Sequence, residues 1–309
     1  MNKKSDDLTS NSSIKSRYGS ALAAIRWIFA RPKLKVDVKQ KHFHSGVLEY
    51  QKQTLLKLME MSGVSSLRGK KIMEIGGNGD MAVGKTLYDW SNTKVTVVTP
   101  DPELHTNVLD DQKIELILRG AEHTGLPDSS FDLIYGCAIL EHVQEYERMF
   151  YECYRLLKPG GYLLLQGGPH WHSRVGHHVF VVNAEMDYRF TGNNPVPDFG
   201  HLYLSKKEMD LSLAEQGIPP LHREAIIRLI YDDTSLNRTC LEDILKAFQS
   251  LPWDDIEIQK EGVTQPEPDI LDRIQANMGR IENRVFAENL YIVARKQALL
   301  NKSDLPWRC

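Results

Sequence analysis

Apolar residues recur in short, nearly unbroken blocks at residues 71–75, 94–99, 114–118, 131–135 and 162–166. Blocks without alternation predict strands buried on both faces. Residues 81–90 and 146–157 fall between them with helical spacing, and in the second Met149, Phe150, Cys153 and Leu157 share one face. Asp101 followed by Pro102 predicts a further helix start. Strands alternating with helices in this way predict a parallel sheet with helices on both sides.

The flanks follow other rhythms. Residues 1–19 are polar and predict a disordered tail. Residues 20–30 predict a short amphipathic helix stopped by Arg31-Pro32, and a second helix runs from Ser45 past Leu55 and Met59 to Gly63. With its apolar side, the first is expected to fold as a lid, so residues 20–64 are read as a helical lid and 65–168 as the core. Beyond Gly168 the alternation breaks. Residues 169–203 are rich in His, Pro, Gly and Asn and read as a long functional loop. Ser205 to Glu208 spells a capping box for a helix ending at Gly217 before Pro219-Pro220. Thr239 to Glu242 spells another, followed by Leu241, Ile244, Leu245 and Phe248 at helical spacing. Residues 169–250 are therefore expected to form a substrate loop and a helical cap insertion. Strands at 256–263 and 289–294, with an amphipathic helix between them, complete the core over 251–297 and leave a tail at 298–309.

Charge narrows the partners. Lys and Arg total 38 against 41 Asp and Glu, so no polybasic field invites a phosphate backbone, and a small-molecule acceptor is expected rather than nucleic acid. Cys137, Cys153, Cys240 and Cys309 form no Cys-x-x-Cys pair and predict reduced thiols in a cytoplasmic protein. The apolar run at 21–30 is broken by Arg26 and too short to span a bilayer, and Asp6 and Asp7 stand where a signal peptide would be basic. A homo-oligomer is left open.

Four short patterns fall in one order. Glu74-Ile75-Gly76-Gly77 ends a strand, Ser130-Phe131-Asp132 opens another, Leu140-Glu141-His142-Val143 follows it, and Leu156-Leu157-Lys158-Pro159-Gly160-Gly161 precedes a third. In this order they resemble the class I S-adenosylmethionine (SAM) methyltransferases over residues 45–168. The resemblance implies a Rossmann-like, doubly wound, mostly parallel seven-stranded sheet whose last two strands form an antiparallel pair at its edge. It implies SAM as cofactor and methyl transfer to a small molecule as activity. It sets the cofactor against Glu74, Gly76, Gly77 and Gly79, beside Thr99 and Asp101, near Ala121 and Glu122, and at Cys137. Three departures stand out: Asn78 and Asp80 occupy two positions where the family's turn has glycine, Thr99 ends the strand that usually ends in an acid, and Gly120-Ala121-Glu122 replaces the commoner Asp-Ala-Glu. With the turn read as surface, Gly77→Val is expected to abolish cofactor binding in a folded protein.

Gly79 to Thr86 also fits Gly-x-x-x-x-Gly-Lys-Ser/Thr, the phosphate loop of nucleotide hydrolases. The strand ends at Ile75, too early for that loop, and no later apolar strand ends in the Asp that would complete a magnesium site. Lys85 and Thr86 are read instead as a solvated helix face.

An oxygen or ammonium acceptor must lose a proton on methylation, and histidine suits that task. His170, His172, His177, His178 and His201 crowd the loop after the last core strand, with Trp171 among them. The segment from Gly168 to His178 resembles one in bacterial methyltransferases of sugars and other secondary metabolites. The strand-exit position favours His170 or His172 as base, with His142 next, and leaves Trp171, His177, His178 and His201 for the acceptor. Glu141-His142 raises a divalent metal, since some relatives bind one there with a second acid a helical turn earlier, where this chain has Ala138. A loop histidine would have to supply the third ligand; His142 lining the pocket is the favoured reading. The function expected is O-methylation of a hydroxyl with a histidine base. N- or S-methylation, a phosphate-loop hydrolase and an inactive SAM-binding protein are the alternatives.

Overall fold

Four-residue strand β1 (Ile72–Ile75) is buried at every position. It lies inside a sheet completed by β2 (Val95–Thr99), β3 (Ile114–Leu118), β4 (Phe131–Cys137) and β5 (Leu157–Gly167), and, after a separate hairpin of β6 (Phe180–Val182) and β7 (Asp187–Arg189), by β8 (Trp253–Glu261) and β9 (Asn289–Lys296). Helices α1 (Glu49–Met61), α2 (Ala82–Ser91), α3 (Tyr146–Leu156), α4 (Gly200–Tyr203), α5 (Lys206–Glu215), α6 (Pro220–Tyr231), α7 (Leu241–Gln249) and α8 (Pro268–Met278) connect and cover them. This is a computed structural model, and it describes residues 43–77, 81–101, 112–279 and 284–298.

The main sheet runs β3-β2-β1-β4-β5-β9-β8. Its first five strands are mutually parallel, β9 is antiparallel to β5, and β8 is antiparallel to β9 at the edge. This is the Rossmann-like, seven-stranded, mostly parallel sheet with an antiparallel edge pair expected from the sequence. Because side chains alternate along a strand, unbroken apolar blocks fill two cores at once. Ile72, Leu133, Leu164 and Val293 face α1 and α2 through Leu55, Leu58, Val83 and Leu87. Met73, Ile134, Leu163 and Ile292 face α3 and α7 through Met149, Phe150, Ile244 and Phe248.

Three differences from the sequence reading have local causes. Strand β5 begins at Leu157 rather than residue 162, because the Lys158-Pro159-Gly160-Gly161 segment runs extended, with Lys158 Nζ bonding Asp132 Oδ2 at 2.8 Å. Pro219-Pro220 opens α6 instead of only ending its predecessor, since Pro220 takes the first helical turn where its missing N–H costs nothing. Helix α7 is no cap insertion; it packs into the main core with Phe248 fully buried against Phe150 and Trp253. Its expected capping box is also absent. Cys240 is the N-cap and donates its S–H to Asp243 Oδ2 at 2.9 Å, while Glu242 Oε1 accepts from the Val285 amide at 2.7 Å. The box at Ser205 and Glu208 does form.

What stands over the sheet is the segment from residue 170 to 239. It has its own small core of Val179, Val196, Met209, Leu213, Ile226 and Ile230 from the loop, α5 and α6. The expected helix at 20–30 and the helix start at Pro102 lie outside the described residues, as do Gly79 and Cys309. Cys137, Cys153 and Cys240 are free thiols, and no described helix is long and apolar enough to cross a membrane.

Candidate active site

Strand order reverses between β1 and β4, so the loops leaving their carboxyl ends diverge and open a crevice. Gly76 and Gly77 form the turn out of β1 with φ of +101° and +65°. A Cβ on Gly76 would lie 3.0 Å from Ile139 Cγ2; one on Gly77 would lie 2.9 Å from Val97 Cγ1 and 3.0 Å from Met81 Sδ. Left-handed backbone and lack of room both demand glycine. The second point corrects an expectation: Gly77 rests on the core, so Gly77→Val strains the fold as well as the turn.

Glu74 is buried and turned toward α2, where a Cβ on Gly84 would lie 3.0 Å from its Oε2. The register pairs Ile75 with Val98 and Thr99 with Leu118, which brings the ends of β1, β2 and β3 side by side. Thr99 is buried there, and its Oγ1 accepts from the Asp101 amide at 3.3 Å. Beyond β3, Ala121 is buried, and the half-buried Glu122 folds its carboxylate back over Gly120. Cys137, at the end of β4, donates its S–H to Gln166 Oε1 at 3.3 Å, and burial pushes the thiol pKa up to about 12. Gln166 also accepts from the Ala138 amide at 2.9 Å and donates to Asn289 Oδ1 at 3.0 Å, pinning the loop after β4 to β5 and β9. Sequence reasoning missed Gln166. It also missed Tyr50, buried at the start of α1, whose hydroxyl pKa is raised well above its ordinary value by burial, with Cys137 and Glu141 nearby adding to it. Neither carries a motif.

The phosphate-loop reading meets a direct obstacle. Thr86 is fully buried rather than solvated, and its hydroxyl donates to the Ala82 carbonyl at 2.8 Å while accepting from the His44 amide at 3.1 Å. Both directions of that hydroxyl are used inside the protein.

The chain leaves β5 through Gly168, where a Cβ would come within 2.1 Å of the Glu288 carbonyl, and turns at once into the histidine segment. Each imidazole there is told apart by its partners, because a carbonyl can only accept and an amide or guanidinium can only donate. His172 Nε2 accepts from Arg284 Nη1 at 2.6 Å, so its lone pair is occupied. His177 Nδ1 accepts from the Val179 amide at 3.0 Å, which leaves a proton on its buried Nε2. His201 Nε2 donates to the Trp171 carbonyl at 2.7 Å, and its ring stands edge-on to Trp171 and His177 at 4.8 and 5.4 Å. His178 Nδ1 donates to the Gly176 carbonyl at 2.9 Å, and His142 Nδ1 to the Ser235 carbonyl at 3.0 Å, leaving an Nε2 lone pair on each. His170 is held by the Gly167 backbone, and its buried Nε2 has no hydrogen-bond partner. Burial lowers the pKa of His170 and His172 to about 4 and that of His178 and His201 to about 3.

A family profile described as methyltransferase domain matches residues 76–165, from the glycine turn to the end of β5. Among curated proteins, the chain is 24% identical over 189 residues to phosphoethanolamine N-methyltransferase 3 of Arabidopsis thaliana, covering 54% of this chain and 33% of that one. It is 29% identical over 128 residues to sterol methyltransferase-like 3 of Botryococcus braunii, covering 38% of this chain and 32% of the other. The matched region thus spans about a third of either relative. Among solved structures, a SAM-dependent methyltransferase from Mesorhizobium loti aligns with a TM-score of 0.46 at 16% identity, covering 78% of this chain and 96% of that one. Phosphoethanolamine N-methyltransferase 2 of Haemonchus contortus aligns at 0.47 and 14%, covering 90% and 58%. The domain match lies on the glycine turn and the strands around the switch point, so residues 76–165 carry a methyltransferase domain of the kind the sequence motifs resemble.

Proposed function

We propose that this chain transfers the methyl group of SAM to a hydroxyl on a small molecule held between the carboxyl edge of the sheet and the segment from residue 170 to 239. The observation that carries the reading is the glycine turn at the β1–β4 switch point, inside the matched domain. Gly76 and Gly77 let backbone amides reach the methionyl part, Asp101 takes the ribose hydroxyls, Glu122 and Ala121 take the adenine, and Thr99 and Cys137 wall the crevice. Glu74 orders the turn from its buried position beside Gly84.

The cofactor supplies an electrophilic methyl on a sulfonium. The chain's part is to align the acceptor, exclude water and remove one proton. The S–CH₃ bond breaks as the O–CH₃ bond forms, the hydroxyl proton passes to His170 Nε2, and S-adenosylhomocysteine leaves. His170 suits this because its Nε2 lone pair is unengaged and it stands at the exit of β5, where an acceptor and the cofactor's positive charge would face it. His172 does not, since Arg284 occupies its lone pair. Trp171, His177 and His201 form an aromatic wall on the acceptor side, with the Arg238 guanidinium 4.9 Å from the Trp171 ring.

A nitrogen acceptor is the second reading, supported by the plant relative's name; an ammonium must also lose a proton, so the same base serves. S-Adenosylhomocysteine release across a panel of hydroxyl and amine acceptors, with calorimetry of SAM and ATP, tests these readings. SAM binding with release driven by a hydroxyl compound is expected. ATP binding without SAM binding would overturn the assignment, and SAM binding with no turnover on any acceptor would leave the inactive binder.

A further inference from the structure

Three metal-ligating groups that the proton-transfer scheme does not use converge beside this site. The Glu141 carboxylate, His142 Nε2 and His178 Nε2 all lie within 4.8 Å of one another. Glu141 and His142 come from the loop after β4, and His178 arrives from the loop after β5, 36 positions beyond His142 in the sequence. His142 Nε2 is 3.9 Å from Glu141 Oε1, and the two imidazoles stand edge-on with centroids 5.7 Å apart.

Hydrogen bonding fixes what these atoms offer. Because each Nδ1–H is spent on a backbone carbonyl, Ser235 for His142 and Gly176 for His178, both Nε2 atoms present lone pairs. Two imidazole lone pairs and a carboxylate therefore face each other with no donor among them. Glu141 is only 3% exposed, and its Oε2, like His178 Nε2, is inaccessible to solvent and has no hydrogen-bond partner. Two of the three acceptors are shut off from water, and acceptors facing one another there repel unless something positive sits between them.

The surroundings hold the three in place as the outer partners of a metal site do. Asn237 donates from its side chain to the Leu140 and Val143 carbonyls at 2.7 and 3.0 Å and from its amide to the Glu141 carbonyl at 2.9 Å. His178 is held at φ +50°, a left-handed conformation uncommon for histidine, and its ring meets that of His142.

We propose that Glu141, His142 and His178 bind one divalent transition-metal ion of the zinc type, leaving coordination positions open to an oxygen of the acceptor. Two imidazoles and one carboxylate suit zinc and its first-row neighbours, whereas magnesium and calcium prefer oxygen ligands throughout. Both nitrogen donors and the lone acid carry the ion. The open positions rest on the methyltransferase reading; the binding of the ion does not. A hydroxyl held on the ion would release its proton more readily, and acceptors carrying a second oxygen next to the methylated one would bind best.

Chelator-stripped protein titrated with Co²⁺, read by visible absorption, together with Zn²⁺ content after dialysis, tests the site. One equivalent per chain is expected, with affinity reduced at least about tenfold in Glu141→Gln, His142→Ala and His178→Ala. His142, with its side chain 45% exposed, gives the variant least able to disturb folding. SAM affinity of the stripped protein is measured in parallel: its loss would count against the methyltransferase reading and leave the metal result standing. Wild-type protein that takes up no more Co²⁺ or Zn²⁺ than His142→Ala overturns the proposal, and a shared proton then holds the three groups together.

Discussion

His170 and His172 stand two positions apart in the sequence and both are buried, yet one keeps a lone pair and the other gives it to Arg284. The proposal separates them by experiment. His170→Ala is expected to cut turnover by about 10²–10⁴-fold while SAM affinity holds, the usual cost of a lost base. His172→Ala is expected to lower stability by about 1–3 kcal/mol, because the Arg284 guanidinium loses its acceptor, with only a mild change in turnover. Steady-state kinetics and urea unfolding on both variants check this; near-normal turnover in His170→Ala would move the base to His142 or imply a thioether acceptor. At the glycine turn, Gly77→Val is expected to cost about 1–3 kcal/mol in addition to SAM affinity, since Val97 and Met81 leave no room for it. A Gly77→Val protein as stable as wild type would contradict that packing.

At the scale of elements, α7 decides where the core ends. Its Ile244 and Phe248 are fully buried in the same cluster as β4, β5 and β9, and Phe248 stacks on Trp253 with ring centroids 5.6 Å apart. Phe248→Ala is therefore expected to destabilise the whole protein by about 3–5 kcal/mol, measured by urea unfolding. A helix acting as a lid would show little loss. Helices α5 and α6 behave otherwise, since their apolar faces meet each other and the histidine loop rather than the sheet. The cap therefore has its own core, and it is joined to the rest through Gly168, through the Ser235 to Asn237 contacts, and through Phe199 and Leu202 packed on Ile274 and Phe286.

For the molecule as a whole, the buried histidines set the response to acid. Burial holds His170 and His172 at about 4 and His201 at about 3, against an ordinary 6.5. His172 further lowers His170, Arg284 lowers His172, and His172 and Arg238 lower His201; Asp243 partly offsets the shift at His172. Unfolding restores the ordinary value, so below about 6.5 the unfolded chain takes up protons that the native chain refuses until about 4 or 3. Their contribution is complete above that window and is lost as pH falls through it. Urea midpoints are thus expected to drop from pH 7.5 to pH 4.5, and a flat profile would show that these rings are not buried neutral.

Sequence periodicity determined the sheet. Unbroken apolar blocks and helical spacing between them are local signals that sufficed for a parallel sheet covered on both sides, while the seven strands, the antiparallel edge pair and the methyltransferase domain came from the resemblance carried by four ordered motifs. The histidine loop was legible only as a cluster of candidates. Which imidazole keeps a lone pair depends on Arg284, Ser235, Gly176 and Trp171 as partners, and those from distant segments reach the loop only through the folded cap. The fate of α7 was likewise hidden: an amphipathic helix announces that it has a buried face but not what buries it, and only the docking of β8 and β9 at the sheet edge turned that face into core. Periodicity is written in neighbours along the chain, whereas tautomer, burial and convergence of ligands are set by neighbours in space.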